Sequence, residues 1–283
     1  MNGIIWIASY PKSGNTWFRL FLTNLLLDPP EPADINDITT TIASSRGLFD
    51  DYAGIESSDL LPEEIERKRP QVYELLAEEA EDQVFIKIHD AYTYLEEGLP
   101  LVSTAGTWGV VYIVRNPLDI AASYAHHNQL DLDKAITDLA NESNFLGKMK
   151  HGLSDQIVQR ILSWSSHVKS WVDAPGLNIC LIRYEDMLDH PEKTFGRAAR
   201  FCGLPDDPER LSRAIRFSSF EVVKEQERGR KFKETPPGVS TFFRRGKTGA
   251  WREELNPKQV RRIVSEHGDV MQRFGYLPEG EIV

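Results

Sequence analysis

The stretch GIIWIASYPKSGNTWFRLFLTNLL, residues 3–26, constrains the fold more than any other part of the chain. It opens on an apolar run, Ile4–Ala8, rich in β-branched side chains and of the length of a strand buried on both faces. Pro11 and Gly14 break the run. Ser13, Asn15 and Thr16 then offer capping side chains to a segment, Thr16–Leu27, whose apolar residues recur three and four apart. A buried strand, a tight loop and an amphipathic helix follow from that order. Backbone N–H groups at a helix start bind anions, helped by the helix dipole, and Lys12 with nearby hydroxyls can complete the charge match. The same pattern is equally that of an ordinary capped turn between strand and helix. It is not GxxxxGK[ST], because Lys12 precedes Ser13 and Gly14, which disfavours an ordinary ATP or GTP hydrolase.

The alternation continues along the chain. Val84–Ile88, Val110–Val114 and Ile179–Ile182 read as further buried strands, and Leu118–His126, Ile157–Val172 and Glu192–Phe201 show helical spacing. Strands alternating with helices predict an α/β fold of three layers, with a mostly parallel central sheet flanked by helices. Ligands of such open sheets bind beyond the carboxyl ends of the strands. No repeat and no long Pro/Gly/Ser linker interrupts the 283 residues, so a single domain over 1–283 is expected.

Charge narrows the function. The net charge of −10 argues against a nucleic-acid binder, which needs basic faces to displace counterions from phosphates. Residues 51–82 hold eleven Asp or Glu, and Ile65, Val72, Leu75 and Leu76 make that region a surface helix pair. Lys224–Lys247 instead gathers eight Lys or Arg against three Glu, a local station for an anion. No run approaches the ~20 apolar residues of a membrane span, and the apolar start stops at Lys12, too short for a secretory leader. Cys180 and Cys202 are too few for a disulfide framework and fit a reducing cytoplasm as small buried side chains.

Three separated segments share a resemblance. YPKSGNTW closely resembles the 5′-phosphosulfate loop of the cytosolic sulfotransferases, which usually has Thr where Asn15 stands. VVYIVRNPLDIAASYAHH resembles the same family's second signature, with Arg115 at a strand end, Pro117 opening a helix and Ser123 two turns on. Taken alone, Arg115 could equally pair with Asp119 while Ser123 packs a helix. FFRRGKTGAW resembles the family's RKGxxGDW loop, with Arg245 in place of Lys and Ala250 in place of the Asp before Trp251. The resemblance runs from about Ile4 to Trp251 and is thin over Pro29–Glu81 and Asn128–Asp155, the segments that would set acceptor specificity.

The resemblance implies a fold like that of the P-loop NTPases and transfer of a sulfuryl group from 3′-phosphoadenosine 5′-phosphosulfate (PAPS) to a hydroxyl or amine. Adenosine 3′,5′-bisphosphate (PAP) would be released, with no metal required. It assigns the 5′-phosphate to Lys12, Ser13, Gly14, Asn15 and Thr16, and the 3′-phosphate to Arg115, Ser123, Arg244, Arg245 and Gly246. The adenine falls to Trp17, Tyr184 in RYEDM, and Ser218 with Phe220 in SSFEVV, aromatic faces suiting a purine. VFIKIHDAY resembles the family's KxH segment, in which His89 would be the base, with Lys87 and Lys12 meeting the charge on the transferring group. The family's Leu-Pro is replaced here by Asp90 and Ala91, and Asp90 is in place to orient the imidazole. His126 and His127 rank second, as acceptor-pocket residues. The remaining histidines, His151, His167, His190 and His267, lie in polar helical or turn contexts. The acceptor stays open among phenol, alcohol, sugar, lipid and peptide. Two rival readings are a P-loop kinase acting on a small molecule or nucleotide, and a nucleotide-binding protein without turnover.

Overall fold

The computed structural model describes residues 3–148 and 152–278. In chain order its elements are β1 (Gly3–Ser9), α1 (Asn15–Leu27), β2 (Thr41–Ile42), α2 (Arg46–Ala53), α3 (Pro62–Glu79), β3 (Gln83–Ile88), β4 (Thr107–Val114), α4 (Pro117–Asn128) and α5 (Leu132–Leu139). There follow β5 (Phe145–Leu146), β6 (Gln159–Arg160), α6 (Trp164–Val172), β7 (Ile179–Arg183), α7 (Tyr184–Asp189), α8 (Pro191–Phe201), α9 (Pro208–Phe217), α10 (Phe220–Gly229), α11 (Trp251–Glu254) and α12 (Pro257–Arg273). The chain forms two compact units, the first from the residues up to Tyr10, Thr40–Tyr112 and Asn141–Leu181, the second from Pro11–Thr39, Ile113–Ala140 and the chain from Ile182.

The first unit holds the body of a five-stranded sheet in the order β2-β3-β1-β4-β7. All seven residues of β1 are buried, as its unbroken apolar run requires. β1 runs parallel to β3, Ile4 opposite Val84 through Ala8 opposite Ile88, and β2 adds in parallel on the far side of β3. The four expected strands all lie inside β1, β3, β4 and β7. β2 is too short to show a period, so nothing in the sequence announced it.

Two expectations in this unit differ from the structure. The acidic segment is one helix, α3, not a pair. Pro70 lies within it and Arg69, Val72, Tyr73 and Leu76 face inward. The helical pattern at Ile157–Val172 becomes helix only from Trp164, where Ser163 caps α6 by accepting from Ser166 N. The preceding residues are held extended, Ile157 N donating to Ser44 O and Ile161 N to Asn144 O, and Leu162 turns the chain with φ 58°. Tertiary hydrogen bonds outweigh the local period there.

The second unit is helical around α1. Phe18 and Phe21 of α1 pack on Phe195 of α8, and Arg210 of α9 donates to the carbonyls of Leu25 and Leu26, satisfying the end of α1. Leu20, Ile35, Val223, Phe232 and Phe243 form a second buried cluster. Arg19, 2% exposed on α1, is paired with Glu234 at 2.8 Å. α4 begins as expected, with Pro117 in its first turn and Asn116 capping Leu118 N.

Candidate active site

The loop after β1 is built by backbone geometry. Lys12 has φ 68° and Gly14, the residue that starts α1, has φ 100°. A Cβ at Gly14 would stand 2.6 Å from Cδ2 of Tyr184, so glycine is demanded both by conformation and by space. Ser13 is fully buried, and its Oγ has no hydrogen-bond partner among the described residues. The Trp17 indole N–H is likewise buried and unpartnered, its ring set edge-on to Tyr184 at 5.8 Å and to Phe195 at 5.4 Å. Asn15 is buried, Thr16 half-buried.

Arg115 follows β4 directly. Its guanidinium donates to Lys12 O at 2.9 Å and lies 4.0 Å over the ring of Tyr184, the first residue of α7. Burial raises the Tyr184 hydroxyl above its ordinary pKa and outweighs the lowering by Arg115. Asp119, the partner that an isolated reading gives to Arg115, is used otherwise. Its buried carboxylate accepts the backbone N–H of Gly249 at 2.8 Å and of Trp251 at 3.0 Å. The RRGKTGAW loop is thereby tied to α4, one turn before the half-buried Ser123.

In that loop, Gly246 has φ 58° and a Cβ there would stand 2.3 Å from Cδ2 of Phe220, at the start of α10. Arg244 donates to Glu254 at 2.7 Å, and Arg245 pairs with Glu253 and Glu254. Lys224 Nζ donates to Arg244 O and lies 5.2 Å over Phe220. Ser218 is fully buried and gives its hydroxyl to Ala214 O and Ile215 O, ending α9. Lys12 Nζ lies 3.2 Å from His127 Nδ1 and 4.3 Å over the ring of Phe242, while His126 Nε2 is 3.2 Å from Thr241 O. All fourteen residues assigned to the nucleotide therefore belong to the second unit.

Lys87 and His89 belong to the first unit. Lys87 is half-buried on β3, level with Ile7 of β1, and His89 is the residue after the strand's Ile88. His89 Nδ1 is 2.7 Å from the carbonyl oxygen of Ser9. A carbonyl only accepts, so Nδ1 carries the proton and Nε2 is the basic nitrogen of the neutral ring. Asp90 does not orient that ring. Its carboxylate takes both arms of the Arg69 guanidinium, at 2.8 and 2.6 Å, and the orienting acceptor is the Ser9 backbone.

His167 is the residue most misjudged from sequence. It is fully buried on α6, receives the Tyr112 hydroxyl at Nδ1 (2.8 Å) and donates from Nε2 to the carbonyl of His89 (3.1 Å). Burial pushes its pKa down to about 3. It stands between Trp164, Val168 and Trp171, so a histidine on a fully apolar helical face was the available signal. Arg69 carries the same signal, lying four after Ile65 and three before Val72 on the inward stripe of α3. Arg19 and Asp119 have no comparable local signal, since their partners lie over a hundred residues away. His151 lies outside the described residues. Among the described residues no group of three or more His, Cys, Asp or Glu is placed to hold a metal ion, and no helix is long and apolar enough to cross a membrane.

Comparison with known proteins places these features in a family. A family model described as "Sulfotransferase domain" matches residues 3–275. Sulfotransferase 1B1 of Mus musculus is 27% identical over 270 residues, 91% of this chain and 79% of its own. Sulfotransferase 2A6 of Rattus norvegicus is 26% identical over 264 residues, 90% of this chain and 79% of its own. Retinol dehydratase, solved with androsterone and the inactive cofactor PAP, has a TM-score of 0.63 at 20% identity, covering 95% of this chain and 80% of that one. Mouse sulfotransferase SULT7A1, complexed with PAP, has a TM-score of 0.60 at 20% identity, covering 95% and 85%. These structures share the α/β fold with its mostly parallel sheet.

Proposed function

The chain belongs to the sulfotransferase-domain family, and from that premise we propose how its residues carry out the reaction it catalyses, transfer of a sulfuryl group from PAPS to a hydroxyl or amine of a small-molecule acceptor. One observation carries the assignment. The Arg115 guanidinium touches both the Lys12 carbonyl and the Tyr184 ring, so three segments far apart in sequence converge on one cation. The donor supplies an activated sulfuryl group on a phosphosulfate bridge.

Lys12, Ser13, Gly14, Asn15 and Thr16 would hold the 5′-phosphate. The buried, unpartnered Ser13 hydroxyl at a helix start is the donor such an anion needs, and the bare Gly14 backbone permits close approach. Arg115, Ser123, Arg244, Arg245 and Gly246 would hold the 3′-phosphate. Each guanidinium has five N–H donors, and the Glu253 and Glu254 carboxylates use only part of the fork on Arg244 and Arg245. Trp17, Tyr184 and Phe220 offer aromatic faces to the adenine, and Ser218, its proton committed to its own helix, has only acceptor lone pairs left to offer.

His89 takes the acceptor proton at Nε2, the nitrogen made basic by the Nδ1–H bond to Ser9. Lys12 and Lys87 stabilise the charge that develops as the bond to the leaving phosphate opens. The binding and chemical residues work as a single functional domain, a reading supported by the unbroken family match and by a chain that passes between the units several times. A reducing, cytoplasmic setting is supported by two buried cysteines, Cys180 and Cys202, that form no disulfide with each other. The test is incubation with PAPS and a diverse library of hydroxyl compounds, read by mass spectrometry. A compound that gains sulfate with wild type and not with His89→Ala supports the reading, and no sulfated product from any class of acceptor counts against it.

A further inference from the structure

Residues 88–91 are where β3 stops being a strand, and His89 there meets Ser9 O through its ring and His167 Nε2 through its carbonyl. The residue after it, Asp90, is held by buried groups from three other elements, α3, β6 and α6. Arg69 of α3 and Asp90 are 2% and 1% exposed and meet in a two-armed pair, Nη1 to Oδ1 at 2.8 Å and Nη2 to Oδ2 at 2.6 Å. The third arm of the guanidinium, Nε, donates to Tyr73 OH at 2.8 Å, and that hydroxyl donates to Ala43 O at 3.1 Å. Asp90 Oδ1 also accepts from Arg160 N, and Asp90 O accepts the Trp171 indole N–H at 2.9 Å. The next residue, Ala91, donates to Arg160 O at 2.8 Å. The residue directly after the base is thus fixed through its side chain and its carbonyl.

A buried ion pair of this kind is a costly way to stabilise a fold. Desolvating both groups consumes most of their attraction, and an apolar pair of similar size is often as stable. What the planar fork supplies instead is geometry, because two parallel N–H bonds fix direction as well as distance. The base needs that, since the Nδ1–H bond to Ser9 and the aim of Nε2 both follow from where the peptide between His89 and Asp90 is held.

We propose that Arg69 and Asp90 are positioning residues for the reaction, a buried clamp that keeps the His89 imidazole in the tautomer with its proton on Nδ1 and its Nε2 aimed at the acceptor. Asp90, the carboxylate of the clamp, stands where the family segment that KIHDA resembles has Leu. The proposal rests on His89 being the base.

The test uses the intact enzyme with ring-nitrogen NMR of His89, the kcat and KM of sulfate transfer, and PAP affinity. Arg69→Lys keeps the charge and removes the fork, and the double variant Arg69→Met with Asp90→Leu removes the pair while keeping an apolar interior. In both, the Nδ1–H signal of His89 should give way to a mixture of tautomers, and kcat should fall about 10- to 100-fold. PAP affinity and donor KM should stay within about twofold, because the nucleotide residues lie in the other unit. A wild-type tautomer and kcat in the well-folded double variant overturns the clamp, as does a loss of kcat matched by an equal loss of PAP affinity and melting temperature, the mark of a merely structural pair. Should Arg69→Lys not fold, the double variant alone decides. His89→Ala separates the two ideas. If it turns over normally, the base assignment fails and the clamp with it, whereas a loss there beside a normal double variant sinks the clamp alone.

Discussion

The ring of Tyr184 lies so close to Gly14 that a methyl group on that glycine would stand 2.6 Å from Cδ2. The first loop and the start of α7 are therefore fitted to each other at the level of a single hydrogen atom, and Arg115 lies 4.0 Å over the same Tyr184 ring.

Gly14→Ala should disturb both partners. The left-handed conformation costs an L-residue roughly 1–2 kcal/mol, and Tyr184 must move as well. We predict a fall of more than tenfold in PAP affinity with a lowered melting temperature, measured by calorimetric titration and thermal unfolding. Wild-type affinity in the alanine variant would show that the loop does not need its geometry to hold the nucleotide.

Asp119→Ala removes the acceptor of two backbone N–H groups, those of Gly249 and Trp251. Hydrogen bonds to a charged group contribute about 1.5–3 kcal/mol each. The RRGKTGAW loop should loosen on α4, visible as faster amide exchange over residues 244–251 and a weaker hold on PAP. Unchanged exchange would mean that Asp119 is not the loop's anchor.

Arg69→Ala leaves the Asp90 carboxylate buried without its partner and should cost about 3–5 kcal/mol, whereas exchanging both residues for apolar ones should be close to neutral. Urea unfolding of the single and double variants reads the difference. Equal destabilisation in the two would mean that the pair acts through packing volume, not charge.

His167 gives a pH dependence with a definite sign. Burial holds its pKa near 3 in the folded chain, against 6.5 when unfolded. Between those values the unfolded state binds one proton more, so stability falls as pH falls through that window, by up to about 1.4 kcal/mol per unit, and the contribution is complete above 6.5. Urea midpoints across the window should fall less steeply in His167→Gln than in the wild type. Parallel curves would contradict a neutral, buried His167.

The four long strands were legible because each is a short β-branched run buried on both faces, and the loop of Lys12–Gly14 because proline, glycine and capping residues punctuate it in a fixed order. Lys12 and Arg115 were each marked by a motif, whereas Tyr184 stood outside the three motifs and its place over Arg115 had no signal in the sequence. The fixing of His89 had none either. Its parts, Ser9 O, His167 and the Arg69 pair with Asp90, come from β1, α6 and α3, and a backbone carbonyl has no signature in sequence. Asp90 was read as the ring's partner because it is next to it in the chain, and adjacency along a strand end says little about where a carboxylate turns. Arg69 and His167 were each readable as a polar residue on an apolar helical face, a pattern passed over because one segment looked acidic and the other polar.

The most direct measurement is a calorimetric titration of PAP in the absence of metal, into the wild type and into Lys12→Ala, Arg244→Ala and His89→Ala. Binding at one site per chain is predicted for the wild type and for His89→Ala, with affinity falling at least tenfold in the other two. No PAP binding by the wild type, or tight magnesium-dependent binding of ATP in its place, would contradict the assignment.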